Sequence, residues 1–451
     1  MQMPARASRF FNPQDECRLR RHVFWAALAV RVLYLTLAHT YRVRPADDHF
    51  QFAWEAGRIA RALVTGHGFS DPFANPAFPH TGPTAWLPPL YPLLVAAVFR
   101  IFGVYTAASA WVLLTLNSVF SAATAIAICE IATRCFNRRV ALWSTWIWAL
   151  YPAAMQYAVH WIWETTLTTA LFAWVLVLAL RIRGIGEPPR TSNLEPRARQ
   201  WLLFGLLWGM IALLNPTLVL FLPVCGLWML MPQQHGPGAP SMRSHRTGGI
   251  AGTLTGPALA ALIFLACLVP STLRNWQVFD AFIPMRSNLG AELYMGNGPG
   301  STGLLMEYDH PFQSPQQLRL YASLGEVRYV AMRGAAARAF IAAHPAHFFA
   351  DVARRVYLYW IGVPQPSGPP WYVETGRTLN FAFASLAGLM GLALALRRRI
   401  PAAGLFAWAF LLLPLPYYLI TVHARFRHPL EPLLCILGVY LFQSATPQLS
   451  E

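Results

Sequence analysis

What most constrains this chain is an alternation of apolar stretches, each near the length that crosses a bilayer, with short segments rich in arginine. Crossing roughly 30 Å of hydrocarbon takes about 20 apolar residues, and a helix is the simplest element that satisfies its own backbone there. The candidate spans are 22–40, 106–130, 139–159, 164–182, 201–214, 216–231, 250–270, 379–396, 402–421 and 429–443, several of them short. This pattern predicts an all-α polytopic membrane protein with about ten transmembrane helices. Composition agrees, because 12% of the residues are charged where a soluble domain carries about 25%.

One stretch decides the topology. "PPLYPLLVAAVFRIFG" (88–103) would reverse every later helix if it crossed the membrane. With 88–103 at the interface, the N-terminal tail, Arg134/Arg138/Arg139, Arg181 to Arg199, Arg243/Arg246 and Arg397/Arg398/Arg399 all fall on one side. The positive-inside bias makes that side cytoplasmic. The division that follows is a cytoplasmic tail 1–21, an N-terminal transmembrane module 22–270 with an outer loop 41–105, a mixed extracytoplasmic lobe 271–378, C-terminal helices 379–443 and a tail 444–451. Apolar residues His22 to Ala38 follow Arg18, Arg20 and Arg21 as in a signal peptide, but Arg31 interrupts the run and no A-x-A site follows, so an uncleaved first helix is expected.

The net charge of +16 resides entirely in arginine, and many of these residues sit between the apolar segments. That placement is topological and argues against a nucleic-acid partner. The six cysteines lie in or beside apolar segments or in the N-terminal tail, and imply neither a disulfide framework nor a CxxC metal site. In the outer loop, Phe52, Ile59 and Leu63 recur at helical spacing with Arg58 and Arg61 between them, predicting an amphipathic helix over 50–64 on the membrane surface. Stretches 88–103 and 335–363 read similarly, the latter as two short helices separated by Pro345.

Few ionisable residues stand where chemistry would need them. Asp47 and Asp48 are neighbours just beyond the first span. They read either as the cap of the helix that follows or as a general base with a raised pKa at the membrane surface. Glu55 supports either role. Glu164, in "HWIWETT" at the outer start of the fourth span, lies on the same face and reads as a helix-start carboxylate or as a partner of the acid pair. Arg425 and Arg427, in "HARFRHPLEP", face outward against the charge bias, and Arg274 in "STLRNW" emerges at the same level. A phosphate at headgroup depth would satisfy all three; lipid headgroups or Glu431 would also serve. Arg31 falls mid-span, where a charge costs about 2.5–3.5 kcal/mol, so it should face the bundle interior.

No cofactor is implied with certainty. A divalent metal beside Asp47 or Asp48 is compatible with His39, His49, His67, His80, His160 and His423, although no pair shows ligand spacing on a helix. The Gly-rich "LYMGNGPGSTG" (293–303) lacks the lysine and the strand-to-helix context of a phosphate loop and reads as a surface turn.

Four features together resemble the GT-C superfamily of membrane glycosyltransferases that use polyprenyl-phosphate sugars, in the branch of protein mannosyltransferases and aminoarabinose-lipid A transferases. They are the acid pair after the first span, the "GHGFSDPF...TGPTAWLPPLYP" run before an interfacial helix, the "STLRNWQVF" exit into an outer lobe, and "ARFRHPLEP" before the last span. The resemblance implies a polyprenyl-phosphate-linked sugar as donor, a lipid, glycan or protein as acceptor, and membrane lipid as surroundings. It further implies a bacterial inner membrane with the site on its extracytoplasmic face. Relatives usually carry Asp-Glu at the pair with the first acid as base, which transfers to Asp47 and leaves Asp48 as a shorter second acid. Relatives often place an acid beside the interfacial proline, where this chain has Trp86 and Leu87. Glu164 falls where some relatives have an Asp, and inherits a supporting role.

The chemistry agrees with these residues. A sugar on a polyprenyl phosphate has a good leaving group that needs fixed positive charge, for which Arg274, Arg425 and Arg427 are the donors. The acceptor hydroxyl needs a carboxylate to take its proton. The expectation is a hexosyl- or pentosyltransferase acting by inverting displacement. The alternative from a different class is a lipid-linked-sugar flippase or other transporter, which would bury ionisable residues midway in several spans; only Arg31 and Glu130 are candidates.

Overall fold

The computed structural model describes residues 13–43, 52–186, 195–231, 250–304, 306, 309–364 and 370–445. The described residues form helices and connecting turns, with no strand among them. α1 (Pro13–Leu37) is followed by two short outer-loop helices, α2 (Glu55–Val64) and α3 (Leu90–Phe102), and then by the long α4 (Ala107–Cys135). With 13 residues, α3 reaches only about 20 Å and is too short to cross, consistent with its reading as interfacial. α5 (Arg138–Leu150) and α6 (Pro152–Val159) are one expected span broken in two, and α7 (Thr165–Ile182) and α8 (Glu195–Ala212) follow. A 3₁₀ turn, Pro216–Phe221, leads into α9 (Leu222–Leu230). By length and composition, four helices are able to cross a membrane: Ala107–Cys135, Thr165–Ile182, Thr255–Phe279 and Trp371–Arg397. The remaining apolar helices are shorter or interrupted, so the expected count of about ten is not established.

Glu130 defines one end of the bundle. Its carboxylate meets Arg20 at 2.7 Å, Arg134 at 2.7 Å and Arg181 at 2.8 Å, tying α1, α4 and α7 together. The other ends of these helices, at Leu37, Ala107 and Thr165, therefore gather at the opposite end, where the outer loop leaves and returns.

Arg31 is fully buried, and its terminal nitrogens meet backbone carbonyls. α5 stops ahead of Pro152, which lacks an N–H to continue the hydrogen-bond ladder. Arg31 Nη1 donates to the Ala149 carbonyl at 2.8 Å and Nη2 to that of Trp148 at 3.2 Å. One guanidinium thus caps a helix end inside the bundle, where no water would do so.

Two helix pairs pack closely because one partner presents glycine. α8 lies against α10 (Ile250–Phe279), where a Cβ on Gly209 would strike the Cys267 side chain. Later in the chain come α11 (Leu289–Asn297), α12 (Pro315–Leu324), α13 (Glu326–Ala343), α14 (Pro345–Ile361) and α15 (Trp371–Arg397). α16 (Ala403–Leu412) and the short α17 (Leu415–Leu419) lead to α18 (Glu431–Ala445), which packs on α15, with Gly388 facing Leu434.

The lobe expected to be mixed is helical, built from α11 to α14. Among the described residues, the nearest approach to β-structure is a pair of isolated bridges in the outer loop, Ser70 with Pro83 and Asn75 with Phe78. The Ala-, Leu- and Arg-rich sequence of 315–361 favours helix throughout. The expected boundaries also move: α10 continues past 270 to Phe279, and α15 starts at Trp371. The lobe and the outer loop share a core of their own, in which Phe73 and Trp86 pack with Met295, Leu318, Tyr321 and Tyr329. The two segments therefore lie on one side of the bundle.

Candidate active site

The outer loop is held by buried polar groups, and this fixes the mouth of the bundle. Glu326, at the start of α13, accepts from Thr84 Oγ1 at 2.5 Å, the Ala85 N–H at 2.7 Å, Ser287 Oγ at 2.6 Å and Tyr321 Oη at 2.8 Å. Burial nevertheless holds its carboxyl above the ordinary value, against the pull of those donors. From the other side Arg274, expected to meet a phosphate, donates at 2.6 Å to each of the Thr84 and Phe69 carbonyls. Within the loop, Asp71 accepts from the N–H groups of Thr81 at 2.7 Å and Gly82 at 3.0 Å, and meets His80 at 3.2 Å.

Glu55 opens α2 and reaches across to the lobe, where its Oε1 lies 3.2 Å from His310 Nε2. His310 Nδ1 accepts the Phe312 N–H at 3.2 Å, so the ring proton sits on Nε2 and points at the carboxylate. Burial alone would raise the Glu55 carboxyl, but His310 and Arg58 outweigh it and hold it below its ordinary value. Arg58, read as an outward residue of a surface helix, is instead fully buried, 3.9 Å over the Phe312 ring, and donates to the Ala74 carbonyl at 3.1 Å. Hence α2 is clamped between the bundle and the lobe.

The two arginines of "HARFRHPLEP" separate. Arg427 is completely enclosed: it bonds to Ser385 Oγ at 2.5 Å, to the Phe381 carbonyl at 2.8 Å and to Glu431 at 3.2 Å. Glu431 also meets His428 at 2.5 Å. The expectation that Arg427 faces a phosphate is corrected by this knot, which leaves its guanidinium no open side. Arg425 is half-buried, 3.9 Å over the Trp163 ring, and among the described residues no oxygen accepts from its side chain. Trp163 in turn stacks on Trp161 with ring centroids 4.8 Å apart. The residue after Trp163 is Glu164, half-buried at the N-cap of α7, whose side chain makes no capping bond. It has no ion pair or side-chain hydrogen bond among the described residues.

Asp47 and Asp48 lie outside the described residues. Their flanks are described: Val43 follows the outer end of α1, and Phe52 is buried with its ring 5.8 Å from Phe99 and 5.2 Å from Tyr105. Ala53 and Trp54 then turn the chain with φ of 62° and 46°, a conformation non-glycine residues adopt at a cost.

Sequence reasoning missed Glu292 and Arg286. Glu292, in the first turn of α11, accepts from Asn288 Nδ2 at 3.1 Å. Burial raises its carboxyl, offset in part by Arg286, His310 and Arg425. Glu292 thus shares one electrostatic neighbourhood with Arg425 and the Glu55–His310 pair. Neither residue belongs to a motif, and only the folding of the lobe over the bundle brings them there. Among the described residues, no group of three or more His, Cys, Asp or Glu side chains is placed to hold a metal.

No protein-family model matches the chain, and no curated protein matches it in sequence. Among solved structures it is similar to the oligosaccharyltransferase of Archaeoglobus fulgidus. The apo form is 13% identical over 96% of this chain and 51% of that one, with a TM-score of 0.52. The form tethered to an acceptor peptide containing the NVT sequon is 12% identical over 93% and 49%, with a TM-score of 0.50. ArnT from Cupriavidus metallidurans bound to undecaprenyl phosphate is 13% identical over 94% of this chain and 80% of that one, but its TM-score of 0.37 carries no argument. This chain spans about half the length of the oligosaccharyltransferase, and identity at this level speaks to architecture alone. The likeness is therefore one of fold: an assembly of apolar helices similar to that of the oligosaccharyltransferase.

Proposed function

We propose that the chain is a membrane glycosyltransferase that moves a sugar from a polyprenyl-phosphate donor to an acceptor hydroxyl at the bilayer surface. The observation that carries this reading is Arg425: a guanidinium 3.9 Å over the ring of Trp163, the residue before Glu164, with no acceptor among the described residues. A cation held at the mouth of a membrane bundle with no carboxylate bonded to it among the described residues is suited to an anionic ligand at that depth, and the phosphate joining a lipid tail to a sugar is such a ligand. The fold likeness to an oligosaccharyltransferase solved with a tethered acceptor peptide supports the class of reaction.

In the proposed reaction the acceptor oxygen attacks the anomeric carbon while the bond from that carbon to the phosphate oxygen breaks. The polyprenyl phosphate departs with the electron pair, its charge countered by Arg425. The hydroxyl proton passes to Asp47, with Asp48 and Glu164 as supporting acids, and the sugar carbon inverts. The role of Asp47 rests on the family resemblance of its motif. Arg274, Arg427 and Arg31, whose terminal nitrogens bond to protein oxygens, brace the site from behind, and Glu55 ties α2 to the lobe. The site is assigned to the extracytoplasmic face of a bacterial plasma membrane, and the acceptor is a lipid, glycan or protein.

The test is to reconstitute the purified protein in liposomes with a panel of polyprenyl-phosphate sugars and to follow donor and acceptor by mass spectrometry. Release of free polyprenyl phosphate together with a glycosylated acceptor is expected. Movement of intact donor across the bilayer without consumption would replace the transferase reading with a flippase.

A further inference from the structure

α14 is inside out for a helix surrounded by water. Its buried side carries Asp351 and the fully enclosed Arg355, followed by Leu358 and Tyr359, whereas its outward side carries Phe349, 68% exposed, Val356 and Tyr357, 61% exposed. Positions 349, 353, 356 and 360 repeat at helical spacing and form one apolar stripe. In water this arrangement is unfavourable twice over, since it buries charge and exposes rings. At a lipid surface the exposed rings become favourable.

The surroundings favour lipid as the occupant. α14 packs on α15 and α17, so its outward stripe continues the lipid-facing surface of the bundle. Aromatic rings are also exposed at helix ends, Trp371 and Tyr372 at the start of the adjoining α15, and Trp276 and Phe282 on or just after α10. Such rings gather at bilayer interfaces. Arg354 flanks the stripe and is exposed, with a stem long enough to reach headgroup phosphates.

The buried side of α14 has a separate consequence. Arg355 donates to the Gly303 carbonyl at 3.1 Å, to Asn297 Oδ1 at 2.9 Å, to the Tyr418 carbonyl at 3.3 Å and to the Gly296 carbonyl. Asn297 Nδ2 donates to the Leu419 carbonyl at 3.1 Å, and Trp360 Nε1 to Tyr418 Oη at 2.7 Å. The backbone gripped in this way, 418–420, runs directly into the turn that carries Arg425. We propose that α14 lies in the headgroup layer with Phe349, Val356 and Tyr357 among acyl chains, and that its seating fixes the 418–420 backbone and thereby Arg425. The lipid contact stands apart from the proposed reaction, whereas the significance of Arg425 rests on it.

The test places photoreactive azido-phenylalanine at position 357, and separately at 349, in the full chain in vesicles of phosphatidylethanolamine and phosphatidylglycerol. Irradiation should give phospholipid adducts at both positions. Chain-to-chain crosslinks, or products of reaction with water only, would overturn the lipid assignment in favour of a second copy or of solvent. In the same vesicles, Phe349→Ser combined with Tyr357→Ser should speed hydrogen exchange of the 418–426 amides at least about threefold, as expected for a segment whose local support is weakened. Unchanged exchange there would overturn the coupling while leaving the lipid contact to the crosslinking result. Neither readout depends on glycosyl transfer.

Discussion

The Arg425 guanidinium lies 3.9 Å over the Trp163 indole, one residue before Glu164, and no protein oxygen among the described residues accepts from it. The ring fixes where the guanidinium and its N–H groups lie. Arg425→Ala should therefore weaken use of the lipid-phosphate donor about 10- to 100-fold, the effect of losing a hydrogen bond to a charged group worth about 1.5–3 kcal/mol. Arg425→Lys should recover little, because an ammonium neither stacks nor forks. Donor and acceptor KM values separate the outcomes: a rise confined to the donor fits a phosphate contact, and an equal rise in both refutes it.

Asp47→Asn should lower glycosyl transfer by roughly 10² to 10⁴, the range for a general base, with expression and membrane insertion unchanged. Single-turnover transfer with saturating donor is the measurement. Full activity in that variant removes Asp47 from the reaction. Full loss in Asp48→Asn with only partial loss in Asp47→Asn would exchange the two roles.

Arg31 is expected to act on folding and not on the reaction. Arg31→Leu leaves the Trp148 and Ala149 carbonyls without the guanidinium that meets them. Each buried acceptor deprived of its donor costs on the order of 1–3 kcal/mol. Thermal unfolding in detergent should fall clearly, while turnover per folded molecule stays near wild type. A variant of normal stability with impaired lipid use would instead place Arg31 on a lipid path.

The parts of this molecule legible in its sequence are those governed by one-dimensional rules. Apolar length and arginine bias identified a helical membrane protein, and the short α3, the break at Pro345 and the common end of Arg20, Arg134 and Arg181 all follow from local pattern. What could not be read is set by contacts distant in sequence. Arg425 and Arg427 look equivalent in "ARFRHPLEP", yet Glu431 and Ser385 claim one and Trp163 carries the other. His310, Glu292 and Glu326 belong to no motif and acquire meaning only when the lobe closes on the outer loop. Arg58 was misread because its fully buried position is created by Phe312, far along the chain.

The folded outer loop should have a stability optimum on the acidic side, because Asp71 within it and Glu326, which holds it to the lobe, shift in opposite directions, and Glu55 on His310 shifts in the same direction as Asp71. Burial pushes Asp71 up, but His80 and the N–H groups of Thr81 and Gly82 outweigh it and hold the carboxyl below its ordinary value of 3.8. Its contribution is therefore complete above that value and is lost as pH falls through the lower folded-state pKa. Glu326 is raised by burial above 4.5, so its contribution is complete below 4.5 and declines as pH rises through the folded-state value. Protease nicking of the 65–89 loop, followed from strongly acidic to neutral pH, should accordingly pass through a minimum. Asp71→Asn should reduce the acid limb and leave the neutral limb unchanged, the remainder of the acid limb belonging to Glu55. Glu326→Gln should flatten the neutral limb only, at some cost in overall protection because the amide presents a donor toward Thr84 and Tyr321. Profiles that keep their shape in both variants would show that other groups set the pH dependence of this contact.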